Sequence, residues 1–377
     1  MNLRQRLEAA KAKNGIANEP MVQAMKAELS PLAAYQQSMD ERRQETRAIR
    51  QAARDEIAEQ SFNLGLAKGA EVTEEVARFL KSRKRPEGIR VRGGALLVQV
   101  SDVHFGGTVK GLEQREDSNE FNLEVAAHRL AAYAAQVEFF AAAHSVEELV
   151  IAFTGDVFDS KIGKCRLDKM LHAEGTASLA YMRGRDLVFQ FIDSLYSSEM
   201  FGRIRVCGIA GNEARLYSDR GHGHVTASDN WDALLNADLA ARYRGGDIEC
   251  EFGVNRYVAE VQGWRVLMLH GDQGLDHNLS QHRTQSLLGT FDAHFGISGH
   301  IHDTLVTGKW IRSASLVGTD AYAGDGLGLE GRASQNIFWL APGQRNTYAI
   351  DLQSPDPLVE PFSLFDYAGA FGFTETL

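Results

Sequence analysis

After Gly94 the chain alternates between short apolar runs and long helical stretches, and each run ends in residues that core packing does not call for. The runs span residues 95–100, 149–153, 204–209, 266–269 and 295–297. They give way to Ser101-Asp102-Val103-His104, to Gly155-Asp156-Val157-Phe158-Asp159, to Gly211-Asn212-Glu213, to His270-Gly271-Asp272 and to Gly299-His300-Ile301-His302. Runs of this length, separated by alanine-rich helical stretches such as 121–143 and 177–196, predict an α/β domain with its strands packed between helices. Residues 336–340 and 347–352 add two further strand candidates. In such sheets functional sites collect at the carboxyl ends of the strands. Buried core residues would not repeat these polar types in this order at five strand ends.

The donor types suit transition-metal ions. Imidazole combined with carboxylate and amide oxygen favours Mn, Fe, Zn or Ni, whereas all-oxygen sites favour Mg or Ca. In Asp-x-His and His-x-His, alternate residues of an extended segment point the same way, so both can reach one site. A carboxylate shared between two ions holds them roughly 3.5–4 Å apart, and such a pair activates water and clamps phosphoryl oxygens. The glycines beside these residues allow sharp turns and close approach of a phosphate.

Asp102-x-His104, Gly155-Asp156-x-x-Asp159, Gly211-Asn212, His270 and Gly299-His300-x-His302 stand in the order found in the calcineurin-like metallophosphoesterases, which residues 94–350 resemble. The resemblance implies a metallophosphoesterase-type β-sandwich flanked by helices. It implies two divalent metal ions, Mn foremost, with Fe, Zn, Ni or Mg as alternatives. Asp102, His104, Asp156 and His302 would hold one ion; Asp156, Asn212, His270 and His300 would hold the other, with Asp156 as the bridge. Asp159 would shape the site without ligating. The wording SDVHFG and TGDVFD is most similar to the SbcD-type nucleases. The GNE triplet, the segment Ser315–Ala323 (SLVGTDAYA) and a helical N-terminal extension resemble phage and prophage metallophosphoesterases.

One position departs from that family. The usual Gly-Asn-His, whose histidine assists the leaving group, reads Gly211-Asn212-Glu213-Ala214-Arg215. The metal-ligating Asn212 is kept and the histidine is not. Glu213 could take over proton donation if its pKa were raised. His224, in the loop Gly221-His222-Gly223-His224, could supply a replacement imidazole. Arg215 could meet a phosphate in bidentate fashion, or form an ordinary ion pair. His128, His144, His172, His277, His282 and His294 match no motif and read as packing or surface residues. Gly324-x-Gly326-x-Gly328 does not sit between a strand and a helix, so it is no dinucleotide site.

Residues 1–90 lack strand-like runs and read as a helical, basic extension, followed by the phosphoesterase domain at 91–365 and a tail at 366–377. The net charge of −10 conceals a contrast: residues 1–92 carry 18 Lys+Arg against 13 Asp+Glu, and the remainder 22 against 37. Ser30-Pro31 predicts a helix start. Arg43, Arg47, Arg50 and Arg54 then fall on one helical face. That face, with the run Lys81–Arg85, could give salt-dependent contacts to nucleic-acid phosphates, or could bind a protein or a second copy of the chain. No run of about 18 apolar residues predicts a membrane span, and no signal sequence is evident. Cys165, Cys207 and Cys250 lie far apart, so the expected compartment is the cytoplasm, of the host if the protein is phage-encoded. The expected function is hydrolysis of phosphodiesters, most of all in nucleic acid. Phosphomonoester or nucleotide hydrolysis and a non-catalytic metal-binding scaffold are the rivals.

Overall fold

The structure, a computed structural model, describes residues 93–109, 119–159, 175–216, 228–273, 275, 279–319 and 331–367. All of them belong to the unit Gly88–Leu377. The helices and basic face expected within residues 1–90, the loop 221–224 with His222 and His224, and most of the C-terminal tail lie outside the described residues.

The described elements follow the order β1 Ala95–Val100, α1 Leu123–His144, β2 Glu148–Phe153, α2 Ala177–Ser197, β3 Arg203–Gly208, α3 Trp231–Arg242, β4 Ile248–Phe252, β5 Arg256–Val261, β6 Trp264–Leu269, α4 Gln281–Thr290, β7 Phe295–Ser298, β8 Leu305–Val306, β9 Trp310–Arg312, β10 Ser334–Ala341 and β11 Gln344–Asp351. They build two sheets, one ordered β11-β10-β1-β2-β3-β4 and the other β5-β6-β7-β9-β8. Strands β1 to β4 run parallel, as do β6, β7 and β9. The outer pairs β10–β11, β5–β6 and β8–β9 are antiparallel.

The two-residue period of a strand explains how these sequences make layers. Ala95 and Leu97 of β1 face a core shared with Val266, Met268, Phe295, Ile297 and Ile311 of the second sheet. Leu96, Val98 and Val100 face the other way, onto Leu130, Tyr133, Val137, Leu187, Phe191 and Leu195 of α1 and α2. Both faces of β1 are therefore buried, which is why, Gln99 apart, it reads as an apolar run. A smaller cluster, Leu267, Leu269, Leu288 and Trp310, covers the outer face of the second sheet beneath α4. Each side chain of this size contributes about 1.5–3 kcal/mol on burial.

The helices start where the chain supplies a cap. The side chains of Asn122, Thr176 and Asn230 accept from Val125 N, Leu179 N and Asp232 N at the starts of α1, α2 and α3. A polar cross-link joins the layers. Fully buried Gln99 donates through Nε2 to Thr154 Oγ1 at 3.0 Å and to the Ser298 carbonyl at 2.8 Å. It thus ties the carboxyl ends of β1, β2 and β7 together two or three residues short of Asp102, Asp156 and His300.

Candidate metal centre

The ends of β1, β2, β3, β6 and β7 bring their polar residues to one edge of the sandwich. Pairing continues past the strands: Asp102 N donates to Gly155 O, His104 N to Asp156 O, and Gly299 N to His270 O. The two sheets meet where His300 N donates to both carboxylate oxygens of Asp102, at 3.0 and 3.1 Å.

Asp102, His104 and His302 form one group whose donor atoms lie within 4.8 Å of one another. The Nε2 atoms of His104 and His302 face each other at 3.0 Å. Asp102 Oδ1 stands 3.9 Å from the first and 3.4 Å from the second. Burial opposes ionisation of Asp102. The hydrogen bond to His302 and the charges of the surrounding histidines outweigh it and hold the carboxyl well below its usual range. Burial and the facing His302 lower His104, favouring its neutral, ligating form.

Asp156, His270 and His300 form the second group, on the same distance criterion. His270 Nε2 stands 2.9 Å from Asp156 Oδ2 and 3.0 Å from Asn212 Oδ1. Its other nitrogen lies 2.9 Å from the Thr154 carbonyl, the kind of contact that fixes which nitrogen faces a metal. Burial would lower His270, but the adjacent Asp156 raises it well above the usual range. Burial and His270 both lower His300.

The donor set fits divalent cations. Each group offers two imidazoles and a carboxylate converging on a common space, and the second adds an amide oxygen. Without an ion the imidazoles serve the carboxylates as N–H donors; deprotonated, the same nitrogens and oxygens make a mixed N/O donor set of the kind divalent transition metals take. The backbone at these positions is equally unusual. Among the described residues ten non-glycine residues have positive φ, and five of them are Asp102, His104, Asp156, His300 and His302. Left-handed backbone costs on the order of 1 kcal/mol per residue and concentrates at functional sites. Here it turns the chain sharply after β1, β2 and β7, where these five side chains enter the site.

Two glycines are required for close approach. A Cβ on Gly211 would fall 2.1 Å from Asp156 Oδ1, and one on Gly299 would fall 1.9 Å from Asp102 Oδ2. Around these loops stand residues that sequence reasoning did not single out. Ser101 Oγ donates to Asp102 Oδ2 at 2.5 Å. Asp232, at the start of α3, is buried against the loop of Asp156. Burial and the charge of Asp156 push its carboxyl up to about 7, while backbone N–H groups pull it down. Asn230-Trp231-Asp232 signals a helix start in the sequence, but nothing local shows that the Asp reaches a loop 76 residues away.

Glu213 lies beside the second group. Its backbone N–H donates to Asp156 Oδ1 at 2.7 Å, and its carboxylate accepts from Asn212 Nδ2 at 2.9 Å. Arg215 forms an ion pair of 2.6 Å with Asp272, both side chains 9% exposed, so its guanidinium is engaged by the residue that follows His270-Gly271. Asp159 sits on the same loop as Asp156, its N–H donating to Phe105 O. Three of the unassigned histidines serve structure: His128 meets the Asp356 carbonyl, His144 stacks on Trp339, and His294 accepts from Arg265 N; His282 is exposed on α4, and His172 and His277 lie outside the described residues.

No family model matches this sequence, and no curated protein matches it. Among solved structures the chain is similar to wild-type Vps29 complexed with zinc from Entamoeba histolytica, at 11% identity over 68% of this chain and 99% of that one, with a TM-score of 0.27. It is similar to a conserved protein described as a predicted phosphoesterase from Streptococcus pneumoniae, at 10% identity over 69% of this chain and 100% of that one, with a TM-score of 0.28. It is also similar to a 5'-nucleotidase precursor from Thermus thermophilus, at 13% identity over 68% and 54% of the two chains, with a TM-score of 0.31. Likenesses this faint transfer no chemistry, and the donor groups stand on their own geometry.

Proposed function

We propose that this chain is a two-metal phosphoesterase that hydrolyses phosphodiester bonds, with nucleic acid as its substrate class. The observation that carries the reading is the pair of adjacent donor groups, Asp102–His104–His302 and Asp156–His270–His300, at one strand-end edge. Asp102, His104 and His302, with Asp156, would hold one divalent ion, and Asp156, Asn212, His270 and His300 the other. Mn²⁺ is the proposed metal. Bound there, the ions would supply a water of lowered pKa and neutralise phosphoryl oxygens.

The chain's own residues do the rest. His300 N and Ser101 Oγ hold the Asp102 carboxylate. Thr154 O orients His270, and Glu213 N fixes Asp156. A diester is favoured because each of its phosphates carries one charge, which the acidic body of the chain repels less than a dianionic monoester. The motif wording nearest to SbcD-type nucleases and the basic N-terminal residues support nucleic acid over a small diester. Glu213, hydrogen-bonded to Asn212, is the group proposed to protonate the leaving oxygen, with His224 as the alternative.

The test is Mn²⁺-dependent degradation of labelled single-stranded and duplex DNA by the full chain, with Asp156→Asn as control. Degradation by the wild type alone supports the reading. With Mn²⁺ confirmed bound, hydrolysis of a phosphomonoester reporter and not of DNA would redirect it to a phosphatase. Absence of any turnover would leave a metal-binding scaffold.

A further inference from the structure

Asp232 gathers backbone hydrogen bonds from two different loops of the site. Its Oδ2 accepts from Asp156 N at 2.8 Å and Gly211 N at 2.9 Å. Its Oδ1 accepts from Val157 N at 3.1 Å and Phe158 N at 3.3 Å. One oxygen therefore straddles the loop after β2 and the loop after β3. The residue is 1% exposed, so water does not compete for these donors.

What the two loops carry is specific. Asp156 presents Oδ2 to His270 Nε2, and Asn212, next to Gly211, presents Oδ1 to the same atom. The loop after β3 also returns a bond to the first, through Glu213 N to Asp156 Oδ1. Asn230 reinforces the arrangement: its Nδ2 donates to Gly211 O at 2.8 Å, and its Oδ1 accepts from Asp232 N at 2.8 Å. Asp232 also lies in the first turn of α3, where the helix field favours negative charge. Four N–H donors meeting one carboxylate need acceptors only, so an amide in its place would turn a donor toward two of them.

We propose that Asp232 is a positioning residue, a carboxylate clamp that sets the separation of Asp156 and Asn212 around His270 and so shapes the second cation site. The proposal rests on the metal reading above. Its ligand class is a divalent cation, reached through the two loops and never touched by Asp232 itself.

The experiment compares the full-length wild type, Asp232→Asn and Asp238→Asn. The last removes the same charge from α3 at a position bonded to Tyr181 instead. Amide hydrogen exchange on the metal-free proteins and Mn²⁺ titration by calorimetry are both read. Asp232→Asn is expected to accelerate exchange at Asp156, Val157, Phe158 and Gly211 and to weaken Mn²⁺ binding tenfold or more, with Asp238→Asn like the wild type in both. Unchanged exchange at those four amides overturns the clamp. So does Mn²⁺ binding by Asp232→Asn weakened by less than tenfold, or an equal loss in Asp238→Asn. A wild type that binds no Mn²⁺, yet shows the exchange difference, overturns the metal reading and leaves the clamp as a backbone device alone. If Asp232→Asn does not fold, Asn230→Ala, which frees Gly211 O and the Asp232 backbone, is expected to show the same two effects and overturns the proposal if it shows neither.

Discussion

The Nε2 atoms of His104 and His302 stand 3.0 Å apart, tilted at 65° ring to ring, with the same oxygen of Asp102 within 3.9 Å of both. Two imidazole nitrogens and a carboxylate oxygen gathered this closely make a donor set that a divalent cation can take. Loading Mn²⁺ into chelator-treated protein should therefore raise the Tm, by about 2.7 kcal/mol of stability per site at a hundredfold excess over Kd. His302→Ala should remove one bound equivalent of two and leave the second, as counted by calorimetry or metal analysis. His302 is the choice because its side chain is 26% exposed, so its truncation leaves no deep cavity. Two equivalents retained would refute the assignment.

Gly211 and Gly299 test the same geometry from the backbone. Neither has room for a Cβ, which would land 2.1 Å from Asp156 Oδ1 and 1.9 Å from Asp102 Oδ2. Gly211→Ala and Gly299→Ala should each displace a carboxylate and cut Mn²⁺ affinity tenfold or more. Gly289→Ala in α4 is the contrast, because nothing lies within 4 Å of its added Cβ. That change should stabilise the protein by about 0.5 kcal/mol through lower unfolded-state entropy, visible as a small rise in Tm.

Much of this architecture was legible because it follows local rules. The apolar run at 95–100 is β1 residue for residue, the run at 149–153 starts one residue after β2, and the run at 204–209 is displaced from β3 by one residue at both ends. Helix α1 begins at Leu123, not at 121, because Asn122 caps it. Strands β4 and β5 were not legible. Ile248–Phe252 and Arg256–Val261 are half-exposed edge strands interrupted by Glu249, Glu251, Arg256 and Glu260, and their pairing partners, not their composition, make them strands. Helix α4, with its Gln, His, Arg, Thr and Ser, has only Thr284 and Leu288 buried, too narrow a stripe to announce itself. Asp102, His104, Asp156, Asn212, His270, His300 and His302 were visible in the sequence as polar residues that follow the apolar runs. Asp232 and Gln99 were not, because their partners lie 76 and 199 residues away.

Glu213 occupies the place where the resembled family carries its histidine, and its carboxylate accepts from Asn212 Nδ2. Glu213→Gln can keep that bond through the amide oxygen while removing the exchangeable acid proton. The expected result is a fall in kcat on a diester of about 10²-fold or more, the size of a general-acid contribution, with Mn²⁺ stoichiometry unchanged. The fall should shrink for a diester whose leaving group needs no proton, such as a nitrophenolate. An equal loss on both substrates would assign Glu213 to holding Asn212 instead.

The thiols give a pH-dependent prediction away from the metal groups. Burial pushes Cys207 up to about 12 and Cys250 up to about 11. Reactivity belongs to the thiolate, and a raised pKa leaves little of it near neutrality. Both should resist alkylation in the folded protein at pH 8, mapped by mass spectrometry, and react once denatured. Because ionisation is disfavoured in the folded state, stability contributed by these thiols should be intact at neutral pH. It should fall as pH rises past the unfolded thiol value of about 8.5.

Gln99 offers the sharpest test of how the two sheets are held in register. Its Nε2 serves Thr154 Oγ1 and Ser298 O, and its Oε1 accepts from Asn336 Nδ2 at 3.2 Å. Gln99→Leu preserves bulk and takes from buried Thr154 Oγ1 and Asn336 Nδ2 their partner, each loss costing about 1–3 kcal/mol, while Ser298 O keeps only its bond from Ser313 N. The expected loss is therefore about 3–5 kcal/mol, measured by denaturant unfolding, far beyond an ordinary surface change. Because Gln99 joins the strands that deliver Asp102, Asp156 and His300, Mn²⁺ affinity should fall with it even at temperatures where the variant is fully folded. A variant that loses stability and keeps its full metal affinity would show that the sheets are registered by their apolar core alone.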